Sequence, residues 1–164
     1  MESEKIKDNN LHSIQTLSLN PFFLSLLLQH FLNGYKGKKA EYHLLYLVFP
    51  IIFYKPSREF LFSATKKSSI FSMYLKDVNQ RVLLGGIQER YSFFKELTDE
   101  AIIVAVNEGK ISISKEVSLL SKVNYEKIKV ADIRYYMRAA HYLGVIFART
   151  NYVDIFRKLG VRTL

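Results

Sequence analysis

The chain has 164 residues, no cysteine and a formal net charge of +9. This length fits one domain with a core of its own, and the absence of cysteine excludes disulfide frameworks and zinc sites with cysteine ligands. The positive charge is concentrated in residues 20–79, which carry +5, and in residues 127–164, which carry +6. A surface of this kind attracts phosphates of nucleic acids, while solubility or docking on an acidic protein explains it equally well.

The first residues predict a tail instead of a targeting signal. Residues 1–17 are mixed in charge and lack the apolar centre of a secretory signal. We therefore expect a flexible N-terminal tail, a single helical domain over residues 18–164 and a cytoplasmic protein.

Two helices are predicted in the first third of the chain. Asn20 and Pro21 stand in the favoured order for an N-cap and a first helical residue, and Gly34 is expected to end this largely buried helix. A second helix is predicted over residues 41–54, with a bend at Pro50. Its apolar run has about 11 residues where a bilayer needs roughly 20, which indicates an internal helix and not a membrane span.

The middle of the chain predicts two further helices separated by glycine. Ser63 or Thr65 is expected to cap a third helix that reaches about Lys76. Its predicted inner face consists of Ile70, Phe71, Tyr74 and Leu75. Gly85-Gly86 interrupts the chain, and apolar residues then recur at helical spacing, namely Ile87, Tyr91, Phe94 and Leu97.

The last third predicts a small hairpin between helices. Thr98, followed by two acidic residues, predicts the start of a helix that ends near Gly109. Residues 110–121 alternate between apolar and polar side chains around Lys115-Glu116, which predicts a β-hairpin. A long helix is predicted over residues 130–147, and a short one ends at Gly160. The fold class is therefore mainly α, a compact helical domain with one small β-hairpin in an order compatible with a winged helix.

Six residues are candidate contacts to DNA or to a partner protein. Lys66, Lys67 and Ser68 are expected to open the third helix, where free backbone amides, cations and hydroxyls suit a phosphate. Arg134 and Arg138 lie four residues apart on the long C-terminal helix, and Arg149 follows it. The alternative interpretation is an ordinary capped helix with solvated lysines.

No pattern of catalytic or metal-binding residues is found. The four histidines, His12, His30, His43 and His141, show no metal-ligand spacing with one another or with a nearby acid. Gly85-Gly86 lacks the surroundings of a phosphate-binding loop. We therefore expect no catalytic, cofactor or metal site and no enzymatic activity.

Six sequence blocks follow one another in a fixed order. They are Asn20-Pro21 with the helix to Gly34-Tyr35, Leu47-Val48-Phe49-Pro50 with Pro56-Ser57-Arg58-Glu59, Ala64-Thr65-Lys66-Lys67-Ser68, Thr98-Asp99-Glu100-Ala101, Leu143-Gly144 with Phe147-Ala148-Arg149, and Leu159-Gly160-Val161-Arg162. In this order they resemble the middle component of three-component ABC ATPase systems, which are bacterial conflict systems such as the SMC-like Lamassu type. The resemblance covers roughly residues 17–164. It departs from the family at Lys66-Lys67, where arginine and threonine are more usual, and in the Ser/Lys-rich stretch 110–129.

The resemblance implies an adaptor without catalytic activity. Such a subunit binds an SMC-like ABC ATPase and links it to an effector, often a nuclease, in defence against phages or plasmids. DNA is reached through the complex, and no membrane or cofactor is involved. The alternative is a free-standing winged-helix regulator, a homodimer that binds DNA in a sequence-specific manner. A third possibility, an antitoxin-like inhibitor, fits the size but not the basic charge.

Overall fold

The structure, a computed structural model, describes residues 19–162, so the predicted tail over residues 1–17 lies outside the described residues. It is mainly helical with a small antiparallel sheet, which confirms the predicted fold class. The helices are α1 (Pro21–Gly34), α2 (Val48–Ile52), α3 (Lys55–Leu61), α4 (Val78–Val82), α5 (Ile87–Asn107), α6 (Ala131–Phe147) and α7 (Tyr152–Leu159). The strands are β1 (Lys39–Ala40), β2 (Ile111–Ile113) and β3 (Val117–Leu119).

Helix α1 lies at the centre of the core, because both α5 and α6 pack against it. Its N-terminus is as predicted: the side-chain oxygen of Asn20 accepts a hydrogen bond from the backbone N–H of Phe22 at 2.8 Å. Of its three buried polar residues, Ser25, Gln29 and His30, the first two bond to each other, since Gln29 donates to the Ser25 hydroxyl at 3.2 Å. The hydroxyl of Ser121, after the sheet, in turn donates to the Gln29 side chain.

Two glycines let the backbones of α1 and α6 touch. Helix α1 ends at Gly34 as predicted, but Gly34 is its last helical residue instead of a left-handed residue after it, and it has another role. A Cβ atom on Gly34 would overlap the carbonyl oxygen of His141, and one on Gly144 would overlap the carbonyl oxygen of Phe31. The sequence block that contains Gly144 therefore marks the position at which α6 and α1 are in close contact.

The segment after β1 differs from the single bent helix that was predicted. It forms a 3-10 helix over Tyr42–Leu47 and then the short helix α2. Pro50 is the third residue of α2, where backbone N–H groups have no partner within the helix, so it does not bend a longer helix. All residues from 44 to 52 are buried, as expected for an internal element. No helix among the described residues has the length and apolar character needed to cross a membrane.

The predicted third helix is largely replaced by turns. Residues 62–69 form turns, and a single π-helical turn follows over Phe71–Leu75. Ile70 and Tyr74 are buried as expected, whereas the Phe71 side chain is 60% exposed and does not belong to an inner face. Side-chain hydrogen bonds within this Ser/Thr-rich stretch compete with helix formation.

Helix α5 is continuous, so the prediction of a new helix at Thr98 is wrong. Thr98 is fully buried in its middle, and its hydroxyl donates to the carbonyl oxygen of Phe94 at 2.8 Å. The predicted breaks at glycine are confirmed. Gly86 precedes α5 with φ +69° and Gly109 follows it with φ +66°, values that favour glycine.

The predicted hairpin is confirmed and belongs to a sheet of three strands. β2 pairs with β3, and β1 pairs with the other edge of β3, with Ala40 opposite Val117. The predicted C-terminal helices are also confirmed as α6 and α7, and Gly160 caps α7 with φ +78°.

Candidate functional site

The basic residues chosen from the sequence lie around one loop. This basic loop, residues 62–69, contains Lys66 and Lys67, and no helix begins at either lysine. The N–H of Lys67 donates to the Thr65 hydroxyl at 3.2 Å, and the Ser68 hydroxyl accepts from the N–H of Thr65 at 2.9 Å. The helix N-terminus expected here is therefore absent, and these amides and hydroxyls form bonds within the loop. The role of Lys66, Lys67 and Ser68 as contacts stays a prediction.

Two arginines hold the basic loop from the C-terminal part of the chain. Arg138 of α6 donates to the carbonyl oxygens of Leu61 at 3.4 Å, Phe62 at 3.0 Å and Ala64 at 3.3 Å. Arg149 donates to the carbonyl oxygen of Lys66. Both guanidinium groups thus bind backbone oxygens of the loop and fix its position on α6.

A cavity beside α1 and α6 extends the basic surface. It has a volume of about 590 Å³ and is lined by Gly34, Lys36, Val145, Ala148 and Arg149. Lys36 was not among the residues predicted from the sequence. Lys36 lies two residues after Gly34, so its place in this cavity depends on the contact between α1 and α6, which the sequence does not show.

Arg134 lies in a second cavity with a different character. This cavity has a volume of about 500 Å³, and the rings of Phe62, Tyr125 and Tyr135 line it together with Arg134 and Arg138. Arg134 makes one hydrogen bond, to the carbonyl oxygen of Ile128 at 3.3 Å. Arg138 lies over the Phe62 ring at 5.0 Å, so aromatic faces and guanidinium groups alternate along this surface.

Two histidines near the same helix contact are kept neutral by burial. Burial and the neighbouring His141 lower the pKa of His30 to about 4, and Nδ1 of His30 has no hydrogen-bond partner among the described residues. Burial, followed by the positive charges of Arg138 and Lys66, lowers the pKa of His141. Among the described residues, no group of three or more acidic or histidine side chains is arranged to hold a metal ion.

Five of the six candidate residues lie in the basic loop or donate hydrogen bonds to it, and Arg134 lines the cavity beside it. Arg138 and Arg149 donate to backbone oxygens, whereas Lys66 and Lys67 are exposed to solvent. Lysines in this setting bind phosphate or carboxylate groups as point charges. Ser68 is engaged within the loop by its hydroxyl.

One of three comparisons with known proteins gives a match. A family model described as "ABC-three component (ABC-3C) system Middle Component 3" matches residues 8–163. No curated protein and no solved structure matches the chain.

Proposed function

Because the chain belongs to the Middle Component 3 family of ABC-three component systems, we propose that it is a non-catalytic adaptor between an SMC-like ABC ATPase and an effector. In this proposal the effector is a nuclease, the system acts against phages or plasmids in the manner of the Lamassu type, and it works in the cytoplasm. The observation that carries the proposal is the extent of the family match, which includes all of the described residues.

The surface of the chain supports a role in assembly. Thirteen large apolar side chains among the described residues are exposed, and several of them are more than 50% exposed. Where several such side chains form one contiguous patch, the patch is typical of a surface that binds another protein. The basic loop adds a separate surface for DNA phosphates or for acidic groups of the ATPase.

Co-expression with the other components of its ABC-three component system tests the proposed function. We expect the chain to elute from size exclusion as a stable complex with the ABC ATPase of that system, and with the effector when all three are present. A chain that remains a soluble monomer in the presence of the ATPase would contradict the proposal. The interaction should be measured with purified proteins as well, because co-elution alone does not give an affinity.

A winged-helix regulator is the second candidate, and the hairpin favours it. Helix α5 leads directly into β2, and the tip of the hairpin at residues 114–116 is exposed, as a DNA-binding wing requires. This candidate predicts that the isolated chain protects one operator sequence from nuclease digestion. The adaptor predicts weak binding of the isolated chain without preference for sequence.

A further inference from the structure

A groove on the surface of α5 combines aliphatic side chains with one carboxylate. This Asp99 groove has a volume of about 400 Å³, and its lining includes Tyr42, Asp99, Ile102, Ile103, Val106 and Ile113. These residues come from the 3-10 helix after β1, from α5 and from β2. Three separate elements thus form one continuous surface.

The aliphatic part of the groove is open to solvent. Ile103 is 58% exposed, Val106 40% and Ile113 45%, although each lies beside the others in the same groove. Isolated exposed apolar residues are ordinary, but a concave group of them gains free energy when an apolar partner covers it.

The carboxylate of Asp99 is held in a fixed position at the groove. One of its oxygens accepts a hydrogen bond from the hydroxyl of the buried Tyr46, whose hydroxyl is 2.7 Å from that of Tyr42. Within the described part of the chain, no donor reaches the second oxygen of Asp99. A positioned oxygen at the wall of an apolar groove is a suitable acceptor for an incoming ammonium or guanidinium group.

The charge around the groove is opposite to that of the molecule. Asp99 is the single charged residue among the described residues that line it. Helix α5 carries four acidic and two basic residues, whereas the whole chain has a net charge of +9. Such a contrast favours a basic segment at this surface. A symmetric contact between two copies of this chain is disfavoured, because it would bring Asp99 towards its own counterpart and two chains of net charge +9 together.

We propose that the Asp99 groove docks a segment of a partner subunit in which aliphatic side chains flank a lysine or arginine. The aliphatic side chains cover Ile103, Val106 and Ile113, and the cation pairs with the free oxygen of Asp99. The inference rests on the proposed function, since it assumes a partner subunit. It places the protein partner on a different surface from the basic loop.

Affinity measurements with the purified ABC ATPase and the purified effector test the groove. Ile103→Asp places a charge on an exposed position of α5, so the fold is expected to persist. Asp99→Asn retains a hydrogen-bond acceptor for Tyr46 and removes the charge. We expect about a tenfold or greater loss of affinity for Ile103→Asp, and a several-fold loss with weaker salt dependence for Asp99→Asn.

Two controls match these variants. Val78→Asp introduces the same charge at a residue of α4 that is 74% exposed, and Glu100→Gln neutralises an exposed acid beside Asp99. Both should bind the partners within about twofold of the wild type. Circular dichroism of every variant confirms that the fold is intact.

The outcomes separate the groove from the proposed function. If the wild type binds a partner and Ile103→Asp binds equally well, the groove inference is wrong and the adaptor stands. If the wild type binds neither partner, both are wrong. Self-association of the wild type that Ile103→Asp abolishes would show that a second copy occupies the groove, which also overturns the inference.

Discussion

Gly144, like Gly34, is a residue at which one added methyl group should do great harm. Its missing side chain lets the carbonyl oxygen of Phe31 approach the α6 backbone, and neither backbone can move without displacing a helix. We expect Gly144→Ala to destabilise the protein by roughly 3 kcal/mol, the upper part of the range for overpacking. The shift of the urea midpoint, measured with the slope of the transition, gives this value.

Gly85→Ala is the matched control for Gly144→Ala. Gly85 lies on an exposed turn, and its nearest neighbour, the carbonyl oxygen of Val82, is 3.1 Å from the added atom. The turn can relax, so a change below about 1 kcal/mol is expected. Equal losses in the two variants would contradict the close helix contact.

His30 makes the stability of the folded protein depend on pH. The pKa of His30 is lowered from 6.5 to about 4, so between these values the unfolded chain binds a proton that the folded chain does not. Stability should therefore fall as the pH falls through this window, by at most roughly 1.4 kcal/mol for each pH unit. Urea midpoints between about pH 7 and pH 5 measure the loss.

His30→Leu should remove most of this pH dependence. The lowered pKa of His141 leaves a smaller dependence of the same sign in the variant. Phe22→Leu, a substitution at an exposed residue of α1 that carries no titratable group, is the control and should retain the wild-type slope. A slope that His30→Leu leaves unchanged would show that other groups titrate.

Local chemistry made some residue roles predictable and long-range contacts made others unpredictable. The cap at Asn20 depends on the next two residues, so the sequence contains all that is needed. Gly34 has the same local appearance as a helix stop, but its role depends on His141, which is distant in the chain. A glycine at a helix end therefore has two explanations that only the fold separates.

At the scale of elements, Arg138 connects α6 to the basic loop. The planar guanidinium group of Arg138 donates to three carbonyl oxygens, and the smaller ammonium group of a lysine cannot reproduce this arrangement. Arg138→Lys should therefore destabilise the protein by about 1–2 kcal/mol. The amide hydrogens of Lys67 and Ser68 should then exchange faster with solvent. Hydrogen exchange and urea unfolding measure the two effects.

Arg134→Lys provides the comparison within the same helix. Arg134 is exposed and makes a single hydrogen bond of 3.3 Å, so its replacement should cost less than about 0.5 kcal/mol. Unchanged exchange at Lys67 in Arg138→Lys would mean that the loop holds itself by its own side-chain hydrogen bonds.

Tertiary contacts decided the elements that the sequence pattern did not predict correctly. Thr98 with its two following acids has the local pattern of a cap, but packing buries it inside α5, where its hydroxyl binds the Phe94 carbonyl. Strand β1 has only two residues, too few for a periodic signal, and exists because β3 offers it a free edge. Longer periodic elements such as α1 and α6 were predictable because their pattern repeats over several turns.

For the whole molecule, the basic loop should contribute to DNA binding through charge alone. Changing Lys66 and Lys67 together to Glu should weaken DNA binding by the complex with the ATPase equally for random and promoter sequences. The slope of log affinity against log salt should fall by about one to two units, since up to two phosphate contacts are lost. Fluorescence anisotropy over a range of salt concentrations measures both.

Lys95 and Lys158, each changed to Glu, form the control for the same change in charge. Both are exposed and belong to α5 and α7. If this control variant loses as much affinity as the loop variant, net charge and not the basic loop determines binding. Sequence-specific binding by the isolated wild-type chain would instead favour the regulator.

The grouping of the candidate residues could not have been derived from their spacing. Arg149 and Lys66 are 83 residues apart in sequence and yet share a hydrogen bond. The sequence indicated these residues as candidates, because cations near hydroxyl groups form a recognisable pattern. It did not predict that two arginines serve the backbone, since this depends on where α6 lies against the loop.

The contact between α1 and α6 also has a consequence for protein synthesis. Residues 21–34 leave the ribosome early, but the helix that covers them is complete only when residue 147 has been added. At 5 to 20 residues per second, the apolar face of α1 waits roughly 5 to 20 seconds for its permanent neighbour. Helix α5, complete at residue 107, can cover one side of α1 earlier, but the side that faces α6 is left to chaperones or other transient contacts. A chain that stops before α6 therefore leaves one side of its first helix uncovered, and we expect such a chain to be more sensitive to proteolysis than the full-length protein.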